Sequence, residues 1–222
     1  MNTSIEPRKT VPSRMEGQLD FILLDGSGSM KEKWWDMLAA LDAYVSGLKA
    51  ANVRSRMLLT VFDSNDLELV QRDTPPENWR PFYEEPIGSH WGMTPLYDAI
   101  QLMGRKLRDL DPVRCAITIV TDGMEEGSTF TSLPQARSIL DWCRAKGWSV
   151  TFIGCDFNNS HQAAALGVSE ANALGVDKRL LSDAAATLAR KRANYGLYGT
   201  PVSFTEDERQ QFGGFLPAPE GK

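Results

Sequence analysis

The side chains best placed for chemistry in this chain are Asp25, Ser27 and Ser29, in the stretch Asp25-Gly26-Ser27-Gly28-Ser29. They follow directly on an apolar run, Phe21-Ile22-Leu23-Leu24. Such a run reads as a buried strand, and the glycines after it let the backbone turn and approach other atoms closely. Three oxygens crowded at a strand's end, without nitrogen or sulfur, suit a hard cation, Mg2+ or Mn2+, better than Zn2+. Two later stretches extend the set. In Gly92-Met93-Thr94-Pro95-Leu96 a hydroxyl stands where a helix N-cap is expected, with proline at the first helical position. In Ile117-Thr118-Ile119-Val120-Thr121-Asp122-Gly123 a second apolar strand ends in an acid. Taken singly, each residue has an ordinary use as a turn former or cap. It is the five together that point to a metal.

These residues resemble the metal-ion-dependent adhesion site of the von Willebrand factor A domain family, whose motif is D-x-S-x-S, then a distant Thr, then a distant Asp. The matching positions are Asp25, Ser27, Ser29, Thr94 and Asp122, and the resemblance covers residues 19–195. It implies a three-layer, Rossmann-like α/β fold: a mostly parallel central sheet with one antiparallel edge strand and helices on both faces. It also implies that Ser27, Ser29 and Thr94 coordinate Mg2+ or Mn2+ directly, with Asp25 and Asp122 acting directly or through water. A shell rich in neutral hydroxyls leaves the ion electron-poor, so an open position would attract an Asp or Glu carboxylate from a protein partner. Stand-alone intracellular bacterial members of the family often act as adaptors for AAA ATPases or stress-response complexes, and that role carries over as an expectation.

The elements needed to position these groups are legible as patterns. Strands are expected at 19–24, 56–62, 67–70, 115–121, 148–154 and 171–174, with a hairpin between the second and third. Helices are expected at 31–49, from Pro95 through Leu107, at 132–146, at 162–166 and at 177–195, where Arg190, Lys191 and Arg192 would sit at the dipole's cation-favouring end. Ser132 with Gln135 and Thr205 with Glu208 read as capping boxes. The strand–helix alternation independently gives a mostly parallel sheet covered on both faces, with ligands bound beyond the strands' carboxyl ends. Residues 73–93 break the alternation with four prolines and scattered aromatics, which form either a recognition rim or anchors that hold a long loop to the core. His90 and Trp91 in this loop, and Glu125 just past Asp122, are the candidate partner contacts. The chain divides into an N-terminal arm (1–17), a main domain (18–195) and a C-terminal extension (196–222).

Composition narrows the function classes. The chain has 222 residues, 42% of them hydrophobic, and a net charge of −5, which argues against nucleic acid or an anionic membrane as partner. No stretch has the length of a membrane span and the N-terminal residues are polar, so the expected location is the cytoplasm. The three cysteines, Cys115, Cys143 and Cys155, form no C-x-x-C and read as buried free thiols. Lys31 stands where G-x-G-x-x-G would need its last glycine, and neither a G-K-[ST] loop nor a G-x-S-x-G elbow occurs. The expected protein is therefore a binding module and not an enzyme. The alternatives are a Mg2+- or Mn2+-dependent phosphohydrolase, which would lack an evident base beside the metal, and a structural subunit whose metal stabilises the fold.

Overall fold

The apolar runs become the interior of one six-stranded sheet. In the computed structural model, which describes residues 17–155 and 160–213, the strands are β1 (Gln18–Asp25), β2 (Arg56–Phe62), β3 (Leu69–Thr74), β4 (Arg114–Thr121), β5 (Ser149–Cys155) and β6 (Ala173–Val176). Their spatial order is β3-β2-β1-β4-β5-β6. Every neighbouring pair is parallel except β2 and β3, which run antiparallel at the edge. The chain winds outward from β1 to β3, then crosses back to lay β4 on the other side of β1. The carboxyl ends of β1 and β4 therefore flank the point where the winding reverses, which is where open α/β sheets bind ligands. Asp25 is the last residue of β1, and Asp122 directly follows β4.

Both faces of the sheet are covered, so the central strands are apolar on both sides. Ile22 and Leu24 of β1 pack into one core with α1 (Trp34–Ala50) and α5 (Leu181–Tyr198). Leu19, Phe21 and Leu23 pack into the other with α2 (Leu96–Leu110) and α3 (Leu133–Ala145). A short α4 (Ser160–Ala165) precedes β6, and α6 (Glu206–Gln211) lies past α5. Thr205 and Glu208 form the expected reciprocal cap on α6, at 3.2 and 2.8 Å. The Ser132 amide donates to Gln135 Oε1 at 2.8 Å at the start of α3. Segment 196–213, read from the sequence as part of an extension, contributes Val202, Phe204 and Phe212 to the α1/α5 core. The N-terminal arm lies outside the described residues, apart from Gly17.

Several boundaries move for local reasons. β3 begins at Leu69 because the Asp63 carboxylate, accepting from the Asn65 and Asp66 amides at 2.7 and 3.2 Å, extends the turn. α1 begins at Trp34 because a 3-10 turn, Gly28–Lys33, occupies the preceding residues. α5 likewise follows a 3-10 turn capped by Asp177, and it runs on to Tyr198. Arg190, Lys191 and Arg192 therefore precede the last turn instead of forming it. Arg192 is fully buried and grips Asp20 through Nε and a terminal nitrogen, at 2.6 and 3.0 Å. In the long loop after β3, Trp79 and Phe82 are buried, and the Arg72 guanidinium stacks on their rings at 4.5 and 4.1 Å. These two aromatics anchor the loop, whereas Tyr83 is 80% exposed. All three cysteines are buried, and burial pushes the Cys143 thiol up to about 12.

Candidate metal centre

The strand ends carry the candidate ligands to one place. The Asp25 carboxylate is buried and oriented from two sides: Oδ1 accepts from the Ser27 amide at 2.8 Å, and Oδ2 accepts from the Thr121 hydroxyl at 2.6 Å. The Ser27 hydroxyl lies 3.1 Å from that of Ser29, which donates to Asp122 Oδ1 at 2.5 Å. A Cβ on Gly123 would stand 3.5 Å from Thr94 Oγ1 and 3.7 Å from Ser29 Oγ, so those two hydroxyls face the same small space from different loops. Asp25, Ser27, Thr94 and Asp122 are buried, while Ser29 is exposed and marks the mouth.

The glycines act through close approach. At Gly26 a methyl group would come within 2.1 Å of Ser89 Oγ, which donates to the Gly26 carbonyl at 2.5 Å and to Asp63 Oδ2 at 2.8 Å. The Gly28 amide donates to the Gly92 carbonyl at 2.9 Å, so the Asp25 loop and the Thr94 loop are bonded directly. Trp91, just before, adopts a left-handed φ of 60°, and its ring meets Trp34 edge-on with centroids 5.2 Å apart.

Thr94 does not cap α2 as the sequence suggested. The Tyr97 amide donates to Glu125 Oε2 at 3.0 Å and to Ser128 Oγ at 3.1 Å, and the Asp98 amide donates to Ser128 Oγ at 3.2 Å. The other Glu125 oxygen accepts from the Ser128 amide at 2.9 Å. The loop after β4 thus supplies the cap from a distance, and the Thr94 hydroxyl is left available to the centre. The candidate partner contacts separate accordingly. Glu125 spends both oxygens on backbone amides, and Trp91 is turned onto Trp34. His90 is exposed, with Nδ1 3.9 Å from Asp63. The exposed apolar side chains nearest in the chain to Thr94 and Asp122 are instead Met93 and Met124.

Electrostatics favour a cation. Burial is the main reason the Asp25 carboxyl is pushed up to about 6, with a smaller push from Asp122. Asp122 Oδ2 accepts from Lys33 Nζ at 2.6 Å, where the carboxylate side chain is fully buried and that of Lys33 is 19% exposed. Thr121, Lys33, Ser128 and Gln162 were not singled out from the sequence. Only Thr121 had a signal, its place directly before Asp122. Gln162, buried on α4, holds the β4 loop by accepting from the Glu125 amide at 2.7 Å and donating to the Gly123 carbonyl at 3.3 Å.

The donor set fits a small hard ion. It comprises two carboxylates and three hydroxyls, and oxygens neighbouring one another in an octahedral Mg2+ shell of about 2.1 Å radius lie about 3 Å apart. The Ser27–Ser29 spacing matches that, and the Ser29–Asp122 spacing is that of a hydrogen bond. Among the described residues no three His, Cys, Asp or Glu side chains group as a metal centre.

No protein-family model and no curated protein matches the sequence. Solved structures do match, at low identity. The vWF domain of the type V pili tip protein Mfa5 from Porphyromonas gingivalis superposes with a TM-score of 0.60 at 11% identity, over 80% of this chain and 95% of that one. The pilus adhesin SpaC from Lactobacillus rhamnosus GG gives 0.61 at 8% identity over 83% of this chain, which spans only 31% of the adhesin. A von Willebrand factor type A protein from Catenulispora acidiphila gives 0.56 at 13% identity, over 81% and 43% of the two chains. Together with the sheet order and the single antiparallel pair, these likenesses show that the chain has the von Willebrand factor A fold.

Proposed function

We propose that this chain is a metal-dependent protein-interaction module, in which Asp25, Ser27, Ser29, Thr94 and Asp122 hold Mg2+ or Mn2+ and a protein partner presents an Asp or Glu carboxylate to the centre. The observation that carries this reading is the run of oxygens from Ser27 through Ser29 to Asp122, at 3.1 and 2.5 Å, joining two loops at the sheet's switch point. The ion would supply positive charge and an open coordination position for that carboxylate. The chain's own groups do the rest. Thr121 and the Ser27 amide aim Asp25. Glu125 and Ser128 take over the helix cap, which leaves Thr94 to the centre. Met93 and Met124 supply apolar area around the mouth. That two of the similar structures are a pilus tip domain and a pilus adhesin supports a binding role. In this reading the module binds a partner and does not turn over substrate.

The test is retention of the partner from the native host by immobilised protein. Wild type in Mg2+ should hold it, and chelator or Asp25→Ala should release it. Retention at full strength in chelator would remove the metal from the contact.

A further inference from the structure

Building on the metal reading above, we propose that Lys33 sets the affinity of the centre: it is a tethered cation that competes with the metal for Asp122 and leaves the loaded site more positive toward an incoming carboxylate. Lys33 ends the 3-10 turn that also carries Ser29, so a single short turn delivers both a candidate ligand and a competing charge. Asp122 is engaged on both oxygens, by the Ser29 hydroxyl at Oδ1 and by the Lys33 ammonium at Oδ2. The Asp122 side chain is fully buried and that of Lys33 mostly so, which makes the pair stronger than an ion pair on open surface.

Charge counting shows the consequence. Asp25 and Asp122 supply two negative charges, and Lys33 supplies one positive. Whatever else surrounds the loaded centre, Lys33 makes it one unit more positive than it would be without that side chain. Lys33 thus weakens the ion and strengthens the pull on an anionic partner. This separates the centre from a structural metal site, where nothing is gained by holding the ion loosely.

Calorimetric titration with Mn2+ tests the assignment on wild type, Lys33→Met, Lys33→Arg and Asp25→Ala. Lys33→Met should bind Mn2+ about tenfold more tightly than wild type at low ionic strength, with the gap narrowing in high salt. Lys33→Arg keeps the charge and should stay near wild type. Metal-free Lys33→Met should melt below metal-free wild type, because Asp122 has lost its counter-charge, and should gain more from saturating Mn2+. If wild type binds and Lys33→Met binds equally or more weakly, the role of Lys33 is refuted while the metal centre stands. If neither binds Mn2+, the metal centre itself is refuted and the role of Lys33 with it.

Discussion

Asp25 is a carboxylate that the fold buries at the candidate centre. Its carboxyl is raised from 3.8 to about 6, chiefly by burial. A carboxyl whose folded-state value is raised stabilises the fold only while protonated. Its contribution is complete below pH 3.8 and is lost as pH rises to about 6. A shift of about two units corresponds to about 3 kcal/mol. In chelator, Asp25→Asn should therefore gain on wild type by about that much between pH 4 and pH 7, as measured by urea unfolding. Parallel curves would mean that the carboxylate is at ease without a cation. Asp25, Ser27 and Ser29 were legible because they lie within five residues and end an apolar run. Lys33 was not, because no periodicity says that an ammonium on the following turn folds back onto an acid 89 residues away.

Loops matter more than strands at the scale of elements. β1, β2, β4 and β5 could be read as apolar runs, and α2 from its stripe of Leu96, Ile100, Met103 and Leu107. The edge strand β3 was harder, since Arg72 and Asp73 break its apolar pattern. Arg72 also explains the long loop, which no local pattern could. Besides stacking on Trp79 and Phe82, its guanidinium donates to the carbonyls of Arg80 and Glu85. Asp42 completes the anchor by accepting from Trp79 Nε1 and the Phe82 amide at 2.9 and 2.8 Å. Arg72→Met should cost about 2–3 kcal/mol through lost hydrogen bonds and ring contacts. It should also open residues 75–88 to limited proteolysis well before global unfolding. Unchanged cleavage would mean that Trp79 and Phe82 hold the loop unaided. The capping of α2 by Glu125 and Ser128 belongs to the same scale. The sequence pointed to Thr94 because a cap is usually local, and here it comes from the loop after the next strand.

At the scale of the whole molecule, two polar systems sit at opposite ends of β1. Asp25 ends the strand at the candidate centre. Asp20, five residues earlier and so roughly 16 Å away, pairs with Arg192 and accepts from the Tyr44 hydroxyl at 2.8 Å, joining β1, α1 and α5. The Asp20–Arg192 pair is buried, so removing one partner strands the other's charge. Arg192→Met should cost about 3–5 kcal/mol, most of it recovered in Asp20→Asn/Arg192→Met, while Mn2+ affinity stays as in wild type. A loss below 1 kcal/mol would show that water reaches Asp20. The fold was legible down to its antiparallel edge because alternation and turn signals are local. The centre's candidate residues were legible as a set, but their supports were not, since Thr121, Ser128, Gln162 and Lys33 act through contacts that exist only once the loops meet. The central claim is that five oxygens from three loops hold one divalent ion, and calorimetric titration of wild type and Asp25→Ala with Mn2+ tests it most directly. One ion should bind wild type, with binding lost in Asp25→Ala while its metal-free thermal stability is retained or slightly raised; equal Mn2+ affinity in the two proteins would contradict the account.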